Sequence, residues 1–426
     1  MNSFQVLSNF ARRTPTLLHA LSVSPPAPID IDSTPDSAIP IPHDENSESR
    51  NAKLSHLLND LKIHDLNVTP QLKHALIGVV DRCLDAFAKD DDDLGHTSVV
   101  EHTINTGDSP PIKEKHQPLP HPLRSFADKE LERYIRLGII RKADPGKCQW
   151  AAAIVIVNKK EYDLAKLLET LRMCHDYRKF NFITIKDAYP LPRIEDMITG
   201  LCKAKYFVSL DRLMGYHQIS VKEADRPKTG FVTHRGLFMF NRMPFGLCNA
   251  PATFQRLMDS PFETKIGKEL LVYLDDILIF AEAPEELLAA LERTLQILVK
   301  AGLKFKHRKC QLFRPFLEYL GYVISGEGIK PDPKKIEKIR NWPTPSTGTE
   351  MHSFLGLCNY YRKLIPQFAD LSSPLYELTS QTKLEITPEL LNAFDALKTA
   401  MGSTAALLIP DPTLPFILET DASNVA

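Results

Sequence analysis

A mixed fold, α+β or α/β, is expected for this chain on three observations. Strand-length apolar runs alternate through its middle with segments whose apolar residues recur at helical spacing. No repeat period is present, and no stretch approaches the roughly 20 apolar residues needed to cross a bilayer, so no membrane partner is expected. With 426 residues, 43% hydrophobic and 25% charged, the chain has the composition of a globular protein and the length of about two to three domains.

The elements follow in order. Residues 22–52, rich in Pro, Ser, Asp and Asn, read as a linker. Thr69-Pro70 opens a helix in which Leu72, Leu76, Val79, Val80, Leu84 and Phe87 share one face. Asp90–Asp93 resembles a metal site but reads better as a solvated loop, because a run of like charge favours water. Asn105-Thr106-Gly107 has the shape of an aspartic-protease motif with an amide where the acid should stand, and an amide is no general base. A helix is expected over Ser125–Gly138 and a strand over Trp150–Lys160. Tyr206–Leu210 reads as a strand, Pro251–Met258 begins a helix, and Glu282–Leu303 is helical on the spacing of Leu287, Leu288, Leu291, Leu295 and Leu298. The seven cysteines are dispersed without a C-x-x-C pair, which fits reduced thiols in an intracellular protein.

Charge is uneven. Lys+Arg total 52 and Asp+Glu 53, a formal net charge of −1. Residues 1–110 hold 16 acids and 8 bases, a local −8, and the remainder carries +7. An acidic leader on a basic body is a pattern of nucleic-acid-facing proteins. The basic excess concentrates in Lys300–Arg340, where eleven Lys and Arg interleave with Phe305, Phe313, Phe316, Tyr319 and Tyr322. Such a stretch suits a surface that tracks a phosphate backbone, although charged stretches are usually solvated faces.

The segment Leu271–Phe280 places two adjacent carboxylates, Asp275 and Asp276, inside an otherwise apolar run. Burying unpaired charge costs several kcal/mol, so a compensating cation is implied. Neighbouring strand residues point to opposite faces, so a hairpin turn at the aspartates is needed to bring both to one site. Tyr206–Asp211 is a second strand that ends in an acid. Three such acids at neighbouring strand ends would build a two-metal centre of oxygen ligands. On spacing alone, a strand-end cap and an ordinary turn explain them equally well.

A wider pattern breaks the tie. Tyr273-Leu274-Asp275-Asp276 follows Tyr189-Pro190-Leu191-Pro192-Arg193-Ile194, Gly215-Tyr216-His217-Gln218-Ile219 and Met243-Pro244-Phe245-Gly246-Leu247-Cys248-Asn249-Ala250-Pro251-Ala252-Thr253-Phe254-Gln255, and precedes Tyr319-Leu320-Gly321-Tyr322-Val323-Ile324. In order and spacing these resemble the reverse transcriptases of gypsy-like (Metaviridae) LTR retrotransposons, from about Glu101 to the C-terminus. The resemblance implies a right-hand polymerase: an acidic, partly disordered leader over 1–110, fingers and palm over 111–325, thumb or connection over 326–383, and a truncated RNase H-like segment over 384–426. It implies RNA-directed DNA polymerase activity on a template-primer with dNTPs, inside the cell (cytoplasm, virus-like particle or nucleus), as a dimer or with other Pol and Gag products. A catalytically silent, nucleic-acid-binding relic is the rival from another class, and an RNA-dependent RNA polymerase a second.

Carried over residue by residue, Asp211, Asp275 and Asp276 become the ligands of two Mg²⁺ ions, with Mn²⁺ as the alternative, assisted by the carbonyl of Arg212. Lys159 and Arg172 become the triphosphate contacts, which suits a point charge and a bidentate fork. Tyr216 becomes the ring that would clash with a ribose 2′-hydroxyl, Phe245-Gly246 the turn beside the nucleotide, and Leu320-Gly321-Tyr322 the primer grip. Tyr360, Tyr361 and Arg362 read mainly as packing residues. Asp421 matches the first acid of an RNase H site, and RNase H activity is expected to be absent, since one carboxylate cannot hold two ions. Two departures stand out: Glu161–Thr170 lengthens the fingers hairpin, and Arg212-Leu213-Met214 puts a bulky Met where a small Ser usually stands.

Overall fold

The computed structural model describes residues 47–144, 146–158, 171–385 and 387–403, with 407, 409, 414 and 415 beyond them. Lys159, the 161–170 insertion and Asp421 therefore lie outside the described residues. The chain divides into two compact units, which meet between Arg314 and Pro315.

The first unit begins with the helices Ser47–Asp60 and Pro70–Arg82. Thr69 caps the second, its hydroxyl accepting from the Leu72 amide at 3.3 Å, with Pro70 at the first helical position where no amide is needed. Leu72, Leu76, Val79 and Val80 are buried in the same core as the central strands. The described part of the acidic leader is thus an integral layer of this unit, because its helices have apolar faces that only the body can cover. The run Asp90–Asp93 is a turn with Asp90 and Asp91 exposed, as expected, but it is ion-paired as well as solvated. Asp91 pairs with Lys306 at 2.5 Å, Asp92 with Arg133 and Arg136 at 2.7 and 2.6 Å, and Asp93 with Lys304 at 2.5 Å. Four cations offset a repulsion that the local sequence leaves uncompensated.

Strand β1 (Thr97–His102) runs parallel to β6 (Ile219–Val221). The helix His121–Arg136 precedes a five-stranded sheet. That sheet is made by β2 (Ile140–Lys142), β3 (Ala152–Asn158), β4 (Leu171–Asp176), β7 (Phe231–Thr233) and β8 (Gly236–Phe240), in the order β2-β8-β7-β3-β4. A second, antiparallel sheet has the order β11-β5-β10-β9, from β5 (Tyr206–Asp211), β9 (Leu270–Tyr273), β10 (Asp276–Ala281) and β11 (Gln311–Arg314). The interior residues of β10, Ile277 to Phe280, are all buried, which explains why this segment reads as a continuous apolar run rather than an alternating one. The helices Ala250–Phe262 and Pro284–Lys300 pack against this sheet, the latter through Leu287, Leu291, Leu295 and Leu298.

The second unit opens with a three-stranded meander, β12 (Phe316–Tyr319), β13 (Tyr322–Ser325) and β14 (Gly328–Pro331). Four helices follow: Pro333–Arg340, Gly348–Asn359, Phe368–Glu377 and Pro388–Gly402. The break between compact units falls at 314/315, ahead of the expected boundary at 325, and β12 to β14 pair with one another on its far side. The last helix also belongs here and not to a separate domain from 384. Leu390, Phe394, Leu397 and Met401 are its buried face, and Phe394 meets Phe354 at 4.6 Å between ring centres. Among the described residues, no helix is long and apolar enough to cross a membrane.

Candidate active site

The structure gathers the three carboxylates at one end of the second sheet. Tyr273 and Asp276 form the last cross-strand pair of the β9–β10 hairpin, so the turn is Leu274-Asp275. Asp276 lies directly across from Asp211, the last residue of β5. The expected hairpin is present, with Asp275 in the turn and Asp276 opening the strand.

Leu274 adopts φ +52°, a left-handed conformation that a leucine resists and that its surroundings must impose. Two side chains do so. Gln255, almost fully buried, accepts from the Leu274 amide at 3.0 Å and donates to the Val272 carbonyl at 3.3 Å. Arg212 donates to the Leu274 carbonyl at 3.0 Å, its guanidinium 4.6 Å from the centre of the Phe254 ring. Sequence reasoning assigned Arg212 only a carbonyl role and gave Gln255 none, because a turn clamp depends on contacts 62 and 19 residues away.

The electrostatics are those of a site short of positive charge. Burial, then the Asp211 and Asp275 charges, push Asp276 up to about 6. Asp275 is also raised, by burial first and by Asp211, against the lowering effect of Arg212 and Lys309. Its Oδ1 is buried with no hydrogen-bond partner among the described residues. Lys309 Nζ spans both oxygens of Asp211 at 3.2 and 3.1 Å. Hard oxygen donors, one of them orphaned, around a shared deficit of positive charge fit a divalent cation such as Mg²⁺. Because Asp276 holds its proton more tightly folded than unfolded, that part of the stability is present at low pH and lost as pH rises from about 4 to about 6. Relative to Asp276→Asn, the metal-stripped protein should therefore lose about 1–3 kcal/mol over that window, read by thermal denaturation in chelator.

Gly215 follows Met214, which takes the left-handed φ of +47° in the position usually held by a small residue. Gly215 itself sits so close to the acids that a Cβ there would stand 2.3 Å from Asp275 Oδ1. Tyr216 comes next on the short helical turn Gly215–Gln218, its ring 4.9 Å from Phe245 and 5.5 Å from Phe254. Phe245 is 47% exposed, and Gly246 holds φ +94°, a conformation glycine takes without strain. Asn181, which sequence reasoning passed over, pins this turn by donating to the Gly246 carbonyl at 2.7 Å and accepting from the Cys248 amide at 2.9 Å. Arg172 is exposed on β4, opposite Val157 of β3.

Leu320, Gly321 and Tyr322 belong to the second unit, where Leu320 and Gly321 make the β12–β13 turn with φ of +48° and +79°. Tyr361, buried, donates to the Gly321 carbonyl at 2.7 Å, and the Tyr360 hydroxyl donates to the Leu320 carbonyl. Tyr322 stacks on Tyr360 with ring centres 5.4 Å apart. The tyrosines of the Asn359-Tyr360-Tyr361 segment are packing residues as expected, and what they pack is this turn.

A sheet whose two central strands bring three acids to one end, beside a second sheet and a glycine-bearing turn, is the architecture of a right-hand polymerase. Residues 157–324 match the family model described as "Reverse transcriptase (RNA-dependent DNA polymerase)". These residues are a reverse transcriptase domain, and the chain around them is similar to the Pol polyproteins of gypsy-like retrotransposons. It is 35% identical over 353 residues to the "Retrovirus-related Pol polyprotein from transposon 297" of Drosophila melanogaster, covering 82% of this chain and 33% of that protein. With the corresponding polyprotein from transposon opus of the same organism it shares 37% over 341 residues, 77% of this chain and 34% of the relative. The "Transposon Tf2-3 polyprotein" of Schizosaccharomyces pombe is 32% identical over 313 residues, 73% of this chain and 23% of its own length. The chain thus spans about a third or less of these relatives. Among solved structures, the foamy viral protease-reverse transcriptase in complex with dsDNA superposes with a TM-score of 0.74 at 23% identity, over 86% of this chain and 74% of that one. Its complex with an RNA/DNA hybrid gives 0.71, over 84% and 46%. These two show the fold.

Proposed function

We propose that this chain is an RNA-directed DNA polymerase that extends a primer 3′-hydroxyl with dNTPs on a retrotransposon template, inside the cell. The observation that carries the reading is the meeting of Asp211, Asp275 and Asp276 at one sheet end within a reverse transcriptase domain. The three acids would hold two Mg²⁺ ions, Mn²⁺ being the alternative, with the Arg212 carbonyl assisting. Bound there, the ions supply an ionised primer hydroxyl and neutralise charge developing on the transferring phosphate. The protein's part is positional. Gln255 and the Arg212 guanidinium hold the turn that aims Asp275, and Lys309 pairs with the Asp211 carboxylate at the place where a cation would compete for it. Lys159 and Arg172 would contact the triphosphate, Phe245-Gly246 would floor the nucleotide pocket, and Leu320-Gly321-Tyr322 would grip the primer. Assembly as a dimer or with other element products belongs to the same reading.

Tyr216 is proposed as the sugar gate, a reading supported by the packing of its ring against Phe245 and Phe254. Tyr216→Ala should raise rGTP incorporation relative to dGTP by ~10-fold or more in single-nucleotide extension, because the excluded volume is removed. Unchanged discrimination would sink the gate. The function itself is tested by extension of oligo(dT) on poly(rA) with dTTP and Mg²⁺. Binding of that template-primer without incorporation would instead identify a silent nucleic-acid-binding relic.

A further inference from the structure

We propose that His56, Asp60 and His307 form a zinc-class metal clasp, distinct from the polymerase carboxylates, that fastens the helix Ser47–Asp60 to the turn His307–Lys309. The three donor groups lie within 4.8 Å of one another. His56 and Asp60 are one turn apart on the helix Ser47–Asp60, with Nδ1 and Oδ2 separated by 3.4 Å. Tetrahedral Zn²⁺ with bonds of about 2.0–2.1 Å needs neighbouring donors about 3.3 Å apart, so this pair already has chelating geometry. His307 comes from the short turn His307–Lys309, and its Nε2 lies 2.7 Å from Asp60 Oδ2. A small outward rotation of the Asp60 carboxylate brings that separation to the same value.

The orientation of His307 is the second observation. Its Nδ1 lies 2.9 Å from the Ala88 carbonyl, which can only accept, so Nδ1 carries a hydrogen, and Nε2 is hydrogen-bonded to Asp60 Oδ2 at 2.7 Å, a contact that a metal held between the two atoms would replace. A ring locked by a backbone carbonyl on one nitrogen, with the other facing a carboxylate, is the outer-shell arrangement that metal-bound histidines use. Two imidazoles and one carboxylate select Zn²⁺ over Mg²⁺ or Ca²⁺, which prefer all-oxygen sets. His56 is largely exposed, which leaves the fourth position to water. Arg308 Nε also lies against the cluster, 3.2 Å from Asp60 Oδ2. Its side chain is 65% exposed and can swing into solvent when a metal enters. The nearby thiol of Cys310 is buried and pushed up to about 12 by that burial, so it is not a competing donor.

The clasp would join the helix Ser47–Asp60 to a turn whose last residue, Lys309, holds Asp211. The test is titration of the full chain with Zn²⁺ in saturating Mg²⁺, followed by melting temperature, and with Co²⁺ followed by visible absorption. One equivalent of Zn²⁺ should raise the melting temperature, and Co²⁺ should give a tetrahedral spectrum without a thiolate charge-transfer band. His56→Ala, an exposed change that leaves the fold intact, should weaken Zn²⁺ binding by at least ~10-fold, while Asp275→Asn/Asp276→Asn should leave it unchanged. Equal binding by wild type and His56→Ala, a thiolate band, or no Zn²⁺ effect would each overturn the clasp. None of these readouts depends on polymerase activity.

Discussion

Replacing Asp275 and Asp276 together by Asn should abolish incorporation by the proposed polymerase and stabilise the metal-free protein at neutral pH. Primer extension should fall by at least ~10³-fold, since amides give a cation no negative charge and the developing phosphate charge goes unanswered. The opposite sign in stability follows from burial. Asp276 is pushed up to about 6 and Asp275 is raised, both chiefly by burial, so their surroundings disfavour the charged form of each. Asn keeps the volume and removes the charge. Thermal denaturation in chelator at pH 7 should show the double variant melting above the wild type, and it should gain nothing from added Mg²⁺. A double variant that extends primers as well as wild type would refute the assignment of these residues.

Gly215→Ala is expected to be nearly as damaging by a different route. The added methyl would lie 2.3 Å from Asp275 Oδ1, 3.2 Å from its Cγ and 3.3 Å from the Phe254 ring. The first separation is far inside van der Waals contact, so either Asp275 turns away or the Gly215–Gln218 turn shifts and carries Tyr216 with it. A displacement of about 1 Å at a reacting centre costs on the order of 10²-fold in rate. The expected result is a loss of at least that size in extension, with a raised Mg²⁺ requirement and a fold intact by circular dichroism. Normal extension by this variant would mean that the Asp275 carboxylate does not work from the position it occupies here.

What the sequence disclosed and what it hid divide along a physical line. Asp275 and Asp276 were legible because two charges inside a strand-length apolar run are anomalous without a cation, and the turn was required by strand alternation. The helix over Ser125–Gly138 is found at His121–Arg136, and that over Glu282–Leu303 at Pro284–Lys300, because their apolar faces repeat at 3.6 residues. The turn clamps made by Arg212, Gln255 and Asn181 were hidden, since a polar side chain that bonds a distant backbone leaves no local periodicity. The same holds for Asp91 and Lys306, paired across 215 residues. The resemblance places residues 384–426 in an RNase H-like segment, and the helix Pro388–Gly402 within that range packs on Phe354 of the preceding helices, a partner its own sequence does not name.

The pairing of the Asp91–Asp93 run changes the meaning of the basic segment. Of the eleven Lys and Arg between 300 and 340, Lys304, Lys306, Arg308, Lys309, Lys330 and Lys334 each face an acid within this protein. A cation already neutralised by a carboxylate displaces few condensed counterions when a polyanion arrives. If the proposed function holds, the ionic-strength sensitivity of nucleic-acid association should therefore be shallower than a count of positive residues implies, since six of the eleven already face an acid.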